Sequence, residues 1–136
     1  MKIEELQENL FALNKEINSI LKKCDYKSSF KPDTDYDEAN PDEYMMYHTF
    51  SDITTLLYYV NLMLTYLQKP IGAEGIITKS KRGNYRLNRT ILKRGDCIEV
   101  FRPEEYEDEE EARCYWDLIL VGDIYNLEGL QARLRK

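Results

Sequence analysis

Two periods of apolar residues divide the chain. In its first stretch Ile3, Leu6, Leu10, Leu13, Ile17 and Ile20 recur at spacings of 3, 4, 3, 4 and 3. At 3.6 residues per turn this draws one stripe along a helix. The spacing predicts a helix over Ile3–Lys23, its stripe widened by Phe11, Ala12 and Leu21. A sustained 3–4 repeat suits lengthwise packing on another helix at a shallow angle. That neighbour is either a second helix of the same chain, forming a hairpin, or helix 1 of a second copy, forming a homodimer seam. A second helix is expected from Pro41 to Gln68, stopped before Pro70 because the residue preceding proline is steered out of helical geometry. Asn40 reads as its N-cap, Pro41 as its first residue, and Asp42 and Glu43 as acids at the positive end of the helix dipole. Its apolar set runs through Tyr44, Phe50, Ile53, Leu57, Val60 and Leu64 and makes an arc too wide for helix 1 to cover. The far side is therefore expected to pack on the rest of the chain. Between the helices, Cys24 to Asn40 loses periodicity and reads as a loop rich in acids.

After Lys69–Gly75 the period changes from helical to alternating. Strands are expected near Gly75–Lys79, Tyr85–Leu87, Cys97–Phe101, Tyr115–Val121, Ile124–Leu127 and Gln131–Leu134. Turns fall at 81–84, 94–96 and 122–123, where Gly, Asn or Asp tolerates a positive φ. Short strands joined by tight turns suggest a small barrel of the SH3-like or OB-like kind. The expected class is α+β. An antiparallel helical hairpin with an acidic loop (1–69) packs on a small SH3-like β-barrel (70–136).

The second half also resembles a known family. Arg82-Gly83-Asn84-Tyr85-Arg86-Leu87, Gly95-Asp96-Cys97-Ile98-Glu99-Val100, Trp116, Ile124-Tyr125-Asn126-Leu127 and Ala132-Arg133-Leu134 are similar to the pattern of a small β domain of unknown function. That domain is found on phages and mobile elements of Gram-positive bacteria. The resemblance covers about half the chain, leaves out the helices, and carries no catalytic residues. The acidic insertion before Trp116 departs from the family pattern.

Composition narrows the function classes. The net charge is −6, with 43% hydrophobic and 32% charged residues. Residues 1–69 hold seven Lys/Arg against twelve Asp/Glu, and residues 70–136 hold twelve against thirteen. This balance argues against general affinity for DNA or an anionic membrane, which rests on cations neutralising phosphates. No leader, lipidation motif or apolar span is read in the sequence. Three scattered cysteines, Cys24, Cys97 and Cys114, suit a reducing compartment. The expected location is the cytoplasm.

Two charge blocks supply the candidate surfaces. Glu104 to Glu111 places seven acids in eight residues around Tyr106, and a second acidic group surrounds Tyr36 and Tyr44. Acids interleaved with tyrosines can imitate a phosphate chain and occupy a basic groove, as in small acidic inhibitors of CRISPR nucleases. The expected protein-binding residues are Asp35, Tyr36, Asp37 and Glu38, with Glu105, Tyr106, Glu107, Asp108, Glu109 and Glu110. Opposed to these, Lys79 to Arg94 carries seven cations in sixteen residues with Tyr85 among them. A cationic hairpin bearing an aromatic can follow a phosphate backbone and stack a base. The alternative is therefore nucleic-acid binding through Lys81, Arg82, Tyr85, Arg86 and Arg89. The single histidine, His48, lies among aromatic residues and reads as structural. No P-loop, GxGxxG, HExxH or GxSxG motif is present. The acids at 33–38 lack an EF-hand's glycine and closing glutamate. The expectation is a non-enzymatic protein with no cofactor or metal, an inhibitor or adaptor binding a basic surface on a nucleic-acid-handling complex.

Overall fold

The structure is a computed structural model describing residues 1–26, 31–104, 113–122 and 126–136. The chain forms two compact units, Met1–Gln68 and Lys69–Lys136. Each is described by itself.

The first unit is an antiparallel pair of helices, α1 (Ile3–Lys23) and α2 (Pro41–Leu67). Helix α1 opens with Glu4 and Glu5 and closes with Lys22 and Lys23, each sign at the end of the dipole that favours it. The Asn40 side chain accepts from the Asp42 and Glu43 amides, so the expected cap forms. The seam between the helices is built around Ile17, Leu21 and Leu64, with Phe11, Tyr26, Leu57 and Tyr58 packed about them. Polar side chains run through it as well. Asn14 Nδ2 donates to Asn61 Oδ1 at 2.6 Å and to Thr65 Oγ1 at 3.3 Å, while Gln68 Nε2 donates to Asn14 Oδ1 at 3.1 Å. Beyond the apolar cluster, Tyr26 Oη donates to Thr55 Oγ1 at 2.9 Å.

This ladder changes the expected packing. Of the six stripe residues on α1 only Ile17 is buried, and Ile3, Leu6, Leu10, Leu13 and Ile20 keep 39% to 71% of their surface exposed. The helix is turned so that the flank of the stripe, through Phe11, Asn14, Ile17 and Leu21, meets α2. Partly buried amides must find partners, and Asn14 can do so only with Asn61, Thr65 and Gln68 facing it.

The second unit is one antiparallel sheet. Its strands are β1 (Ile71–Lys79), β2 (Tyr85–Leu87), β3 (Thr90–Leu92), β4 (Cys97–Glu104), β5 (Arg113–Leu120) and β6 (Gln131–Arg135). Their spatial order is β3-β2-β1-β6-β4-β5. Alternation places Ile98 and Val100 of β4, Ala132 and Leu134 of β6, Ile77 of β1 and Leu87 of β2 in the core, joined by Leu127. Gly83 and Gly95 turn the chain at φ +85° and +93°, a region where a Cβ is disfavoured.

Two expectations are corrected here. The sheet does not close into an SH3-like barrel: β3 and β5 stand at opposite edges of the order. Closure requires the edge strands to pair. Among the described residues strand β3 has only its three rungs to β2, and β5 is paired along its length with β4. The strand expected at Ile124–Leu127 is also not found at its described end. Asn126 and Leu127 lie outside any strand, with Asn126 Oδ1 accepting from the Glu128 amide in a turn; Ile124 and Tyr125 are outside the described residues. Conversely β3 had not been expected. It is created by Asn88 at φ +54°, whose Nδ2 donates to the Glu74 carbonyl and reverses the chain directly after β2.

This core makes a measurable contrast. Leu87 is fully enclosed, whereas Ile91 on the adjoining strand is 46% exposed. Leu87→Ala is expected to cost about 2–5 kcal/mol and Ile91→Ala less than about 1 kcal/mol. Urea unfolding of the two variants checks this; equal losses would mean that the sheet buries its other face.

Candidate functional site

The acidic loop is anchored at both ends of its described part. The Asp33 amide donates to the Cys24 carbonyl at 2.8 Å, Pro32 is buried, and Tyr47 Oη donates to the Pro32 carbonyl at 3.3 Å. Tyr36 then lies flat on Tyr47, with centroids 4.0 Å apart and planes 9° from parallel. His48 meets Tyr36 and Tyr47 edge-on and packs on Tyr44 at 4.3 Å. Next, Asp37 Oδ1 accepts from the Ala39 amide, a turn that delivers the chain to Asn40 and α2. The sequence therefore fixes the loop by aromatic stacking rather than by regular structure.

Asp35, Tyr36, Asp37 and Glu38 are thus brought together, beside Asp33, Asp42 and Glu43. All six acids are exposed, and none forms an ion pair with another of the described residues. Burial and the neighbouring Glu38 carboxylate push the Tyr36 phenol above its ordinary pKa, so it remains a neutral hydrogen-bond donor at physiological pH. The remaining expected residues, Glu105, Tyr106, Glu107, Asp108, Glu109 and Glu110, lie outside the described residues. Tyr47 and His48 had not been assigned to this surface. Their positions three and four residues after Tyr44 on a helix place all three on one side, which was the available signal.

The basic block is held on the β1–β2–β3 segment. The Ser80 amide donates to the Asn84 carbonyl and the Gly83 amide to the Ser80 carbonyl, presenting Lys81 and Arg82 at the tip. Tyr85 pairs with Lys79, whose Nζ stands 5.5 Å from the ring centroid, and its hydroxyl reaches Asn126 Oδ1 at 3.4 Å. Arg86 is on the opposite face, between Thr78 and Ile91. Arg89 sits in the turn at the far end of β2. The five expected nucleic-acid-binding residues are consequently spread over two ends and two faces. The pairing of Tyr85 with Leu92 instead returns Lys93 and Arg94 to the end that carries Lys81 and Arg82. None of these cations has a carboxylate partner among the described residues.

A third group joins β4 to β6. Glu99 is 5% exposed, and its carboxylate takes Arg133 Nη2 at 2.9 Å and Arg135 Nε at 3.0 Å. The Arg133 guanidinium also lies 4.2 Å over Trp116, which packs against Phe101. The motifs that carry the resemblance, around Glu99, Trp116 and Arg133, therefore meet at one structural joint. On the same strand, burial and then Asp96 push the Cys97 thiol up, leaving little nucleophilic thiolate.

Among the described residues no three His, Cys, Asp or Glu side chains are grouped to hold a metal ion. No helix among the described residues is long and apolar enough to cross a membrane. No family model, curated protein or solved structure matches the chain.

Two outcomes are expected from this geometry. Glu99→Ala leaves two guanidiniums without their acceptor; because both remain about a fifth exposed, the loss should fall at the low end of the range for broken buried pairs, about 3 kcal/mol by denaturant unfolding. In a thiol-labelling time course at pH 8 on the folded chain, exposed Cys114 should react well before buried Cys97. The reverse order would contradict the packing of β4.

Proposed function

We propose that this chain is a non-enzymatic protein-binding protein of a phage or mobile element, an anti-CRISPR-like inhibitor or adaptor of a nucleic-acid-handling host complex. The observation that carries the reading is the cluster of exposed carboxylates, without an ion pair among the described residues, around the Tyr36–Tyr47 stack. A basic groove built for phosphates would meet the acids as charge and Tyr36 and Tyr44 as base-sized rings. Since the loop is already anchored, little ordering entropy opposes association, and long-range attraction raises the encounter rate. The acidic run 104–111 adds charge of the same sign.

A pull-down from nuclease-treated host lysate tests the reading. The wild type should retain a specific basic protein, and a variant carrying Asp35→Asn, Asp37→Asn and Glu38→Gln should retain it poorly. With that protein purified, the variant should associate about tenfold more slowly at low salt, with little change at high salt. Unchanged association kinetics for this variant and for one neutralised at Glu107 to Glu111 would remove the proposal.

The second reading is direct nucleic-acid binding. It is favoured by the cations Lys81, Arg82, Lys93 and Arg94 at one end of the hairpin, which have no carboxylate partner among the described residues, with Arg86 and Arg89 beyond them. It requires affinity for single-stranded nucleic acid that falls steeply with salt and is lost in the double variant Arg82→Glu, Arg86→Glu. Nucleic acid recovered equally well by the acidic-loop variant would transfer the function to this surface.

A further inference from the structure

The helical unit has a second apolar face that its own two helices do not cover. On α1 it consists of Leu6, Leu10, Leu13 and Ile20, all exposed. On α2 a second 3–4 repeat supplies Ile53, Leu56, Val60, Met63 and Leu67, also exposed, with Leu56 at 66%. At about 100° per residue, the α1 stripe lies to one side of Asn14 and Leu21, which face α2. The α2 stripe lies to one side of Asn61 and Thr65, which face α1. Antiparallel helices turn in opposite senses when viewed from one end, so both stripes fall on the same face of the hairpin. Ile20 and Ile53, one from each stripe, line a common cleft of about 400 Å³ at the loop end of the hairpin, together with Pro32, Thr34 and Tyr47.

Three features of this face specify its occupant. No charged residue interrupts either repeat, so the occupant is apolar. Both stripes have the spacing with which one helix packs lengthwise on another, and a two-fold axis lets the face complement itself. At their fractional exposures the nine side chains present roughly 700–800 Å² of apolar surface, comparable with the ~800 Å² that each partner contributes to a stable interface. Charge also favours like on like. Helix α1 starts with Glu4, Glu5 and Glu8 and ends with Lys22 and Lys23. An antiparallel α1–α1 alignment therefore sets the acidic end of each copy beside the basic end of the other.

We propose that the helical unit pairs through this face with the same unit of a second copy, forming a four-helix bundle. Sedimentation equilibrium of the full chain tests it, between about 1 and 100 μM. The expected mass is twice the 16.2 kDa of one chain. Leu13→Lys and Leu56→Lys alter exposed positions of the hairpin and should keep its helical circular dichroism. Each appears twice in the dimer, so each should weaken self-association by at least about 100-fold. A monomeric wild type at 100 μM overturns the proposal, including the case in which the chain's own β unit covers the face and the lysine variants lower the unfolding midpoint without a change of mass. A dimer that survives both substitutions overturns it as well, because the contact would then lie elsewhere.

Discussion

Two antiparallel helices share one line of contact, and in this chain Asn14, Asn61, Thr65 and Gln68 occupy part of it. That choice governs the rest of the first unit. A polar ladder in a helix seam lowers the apolar gain but admits one alignment only, since any slide or roll strands a half-buried amide. Turning the helices to satisfy it carries the regular leucine and isoleucine stripes away from each other and onto a common open face. The same alignment sets the first turns of α2 where Tyr47 can receive Tyr36 and the Pro32 carbonyl, so the acidic loop depends on the helix rotation too.

In the β unit the comparable constraint is a charge. Glu99 sits where β4 and β6 share two rungs, Glu99 to Arg133 and Val100 to Ala132. An unpaired carboxylate there would be costly, and the two arginines remove that cost while Trp116 covers one of them. The neighbouring edge is different in character. Lys81, Arg82, Lys93 and Arg94 gather at the end of a short hairpin whose outer strand has three residues. A short edge strand flanked by cations resists pairing with another sheet, so these charges have a structural use whether or not a polyanion visits them.

Much of this was legible along the chain, because the signals are local. Asn40-Pro41-Asp42-Glu43 states a helix start in four letters, and the alternation at Cys97–Val100 states a strand. The helix rotation was not legible: it rests on Asn14 meeting partners 47 and more residues away, and the leucine stripe pointed to a different contact. Closure of the sheet failed for a similar reason, since whether distant strands meet is settled by lengths and turns together. Asn88 illustrates the local limit. One asparagine in a left-handed conformation creates β3, and asparagine is common enough elsewhere that the letter alone does not announce it. At the candidate site the acids were visible as composition, while their anchoring by stacked rings was a matter of pairing across a loop.

The position of β6 bears on how the second unit can be made. In the sheet β1, at the end of the β1–β3 meander, and β4, of the β4–β5 pair, both adjoin β6 and not each other, so the two ribbons are joined only when residues 131–135 arrive between them. During synthesis the helices can form and find their seam while the sheet is still two separate ribbons. The core residues of those ribbons, Ile77 and Leu87 on one and Ile98 and Val100 on the other, stay open until β6 has been made and has paired with both. Non-local closure of this kind is slow relative to helix pairing, which makes the newly made β unit a stretch that a chaperone would meet.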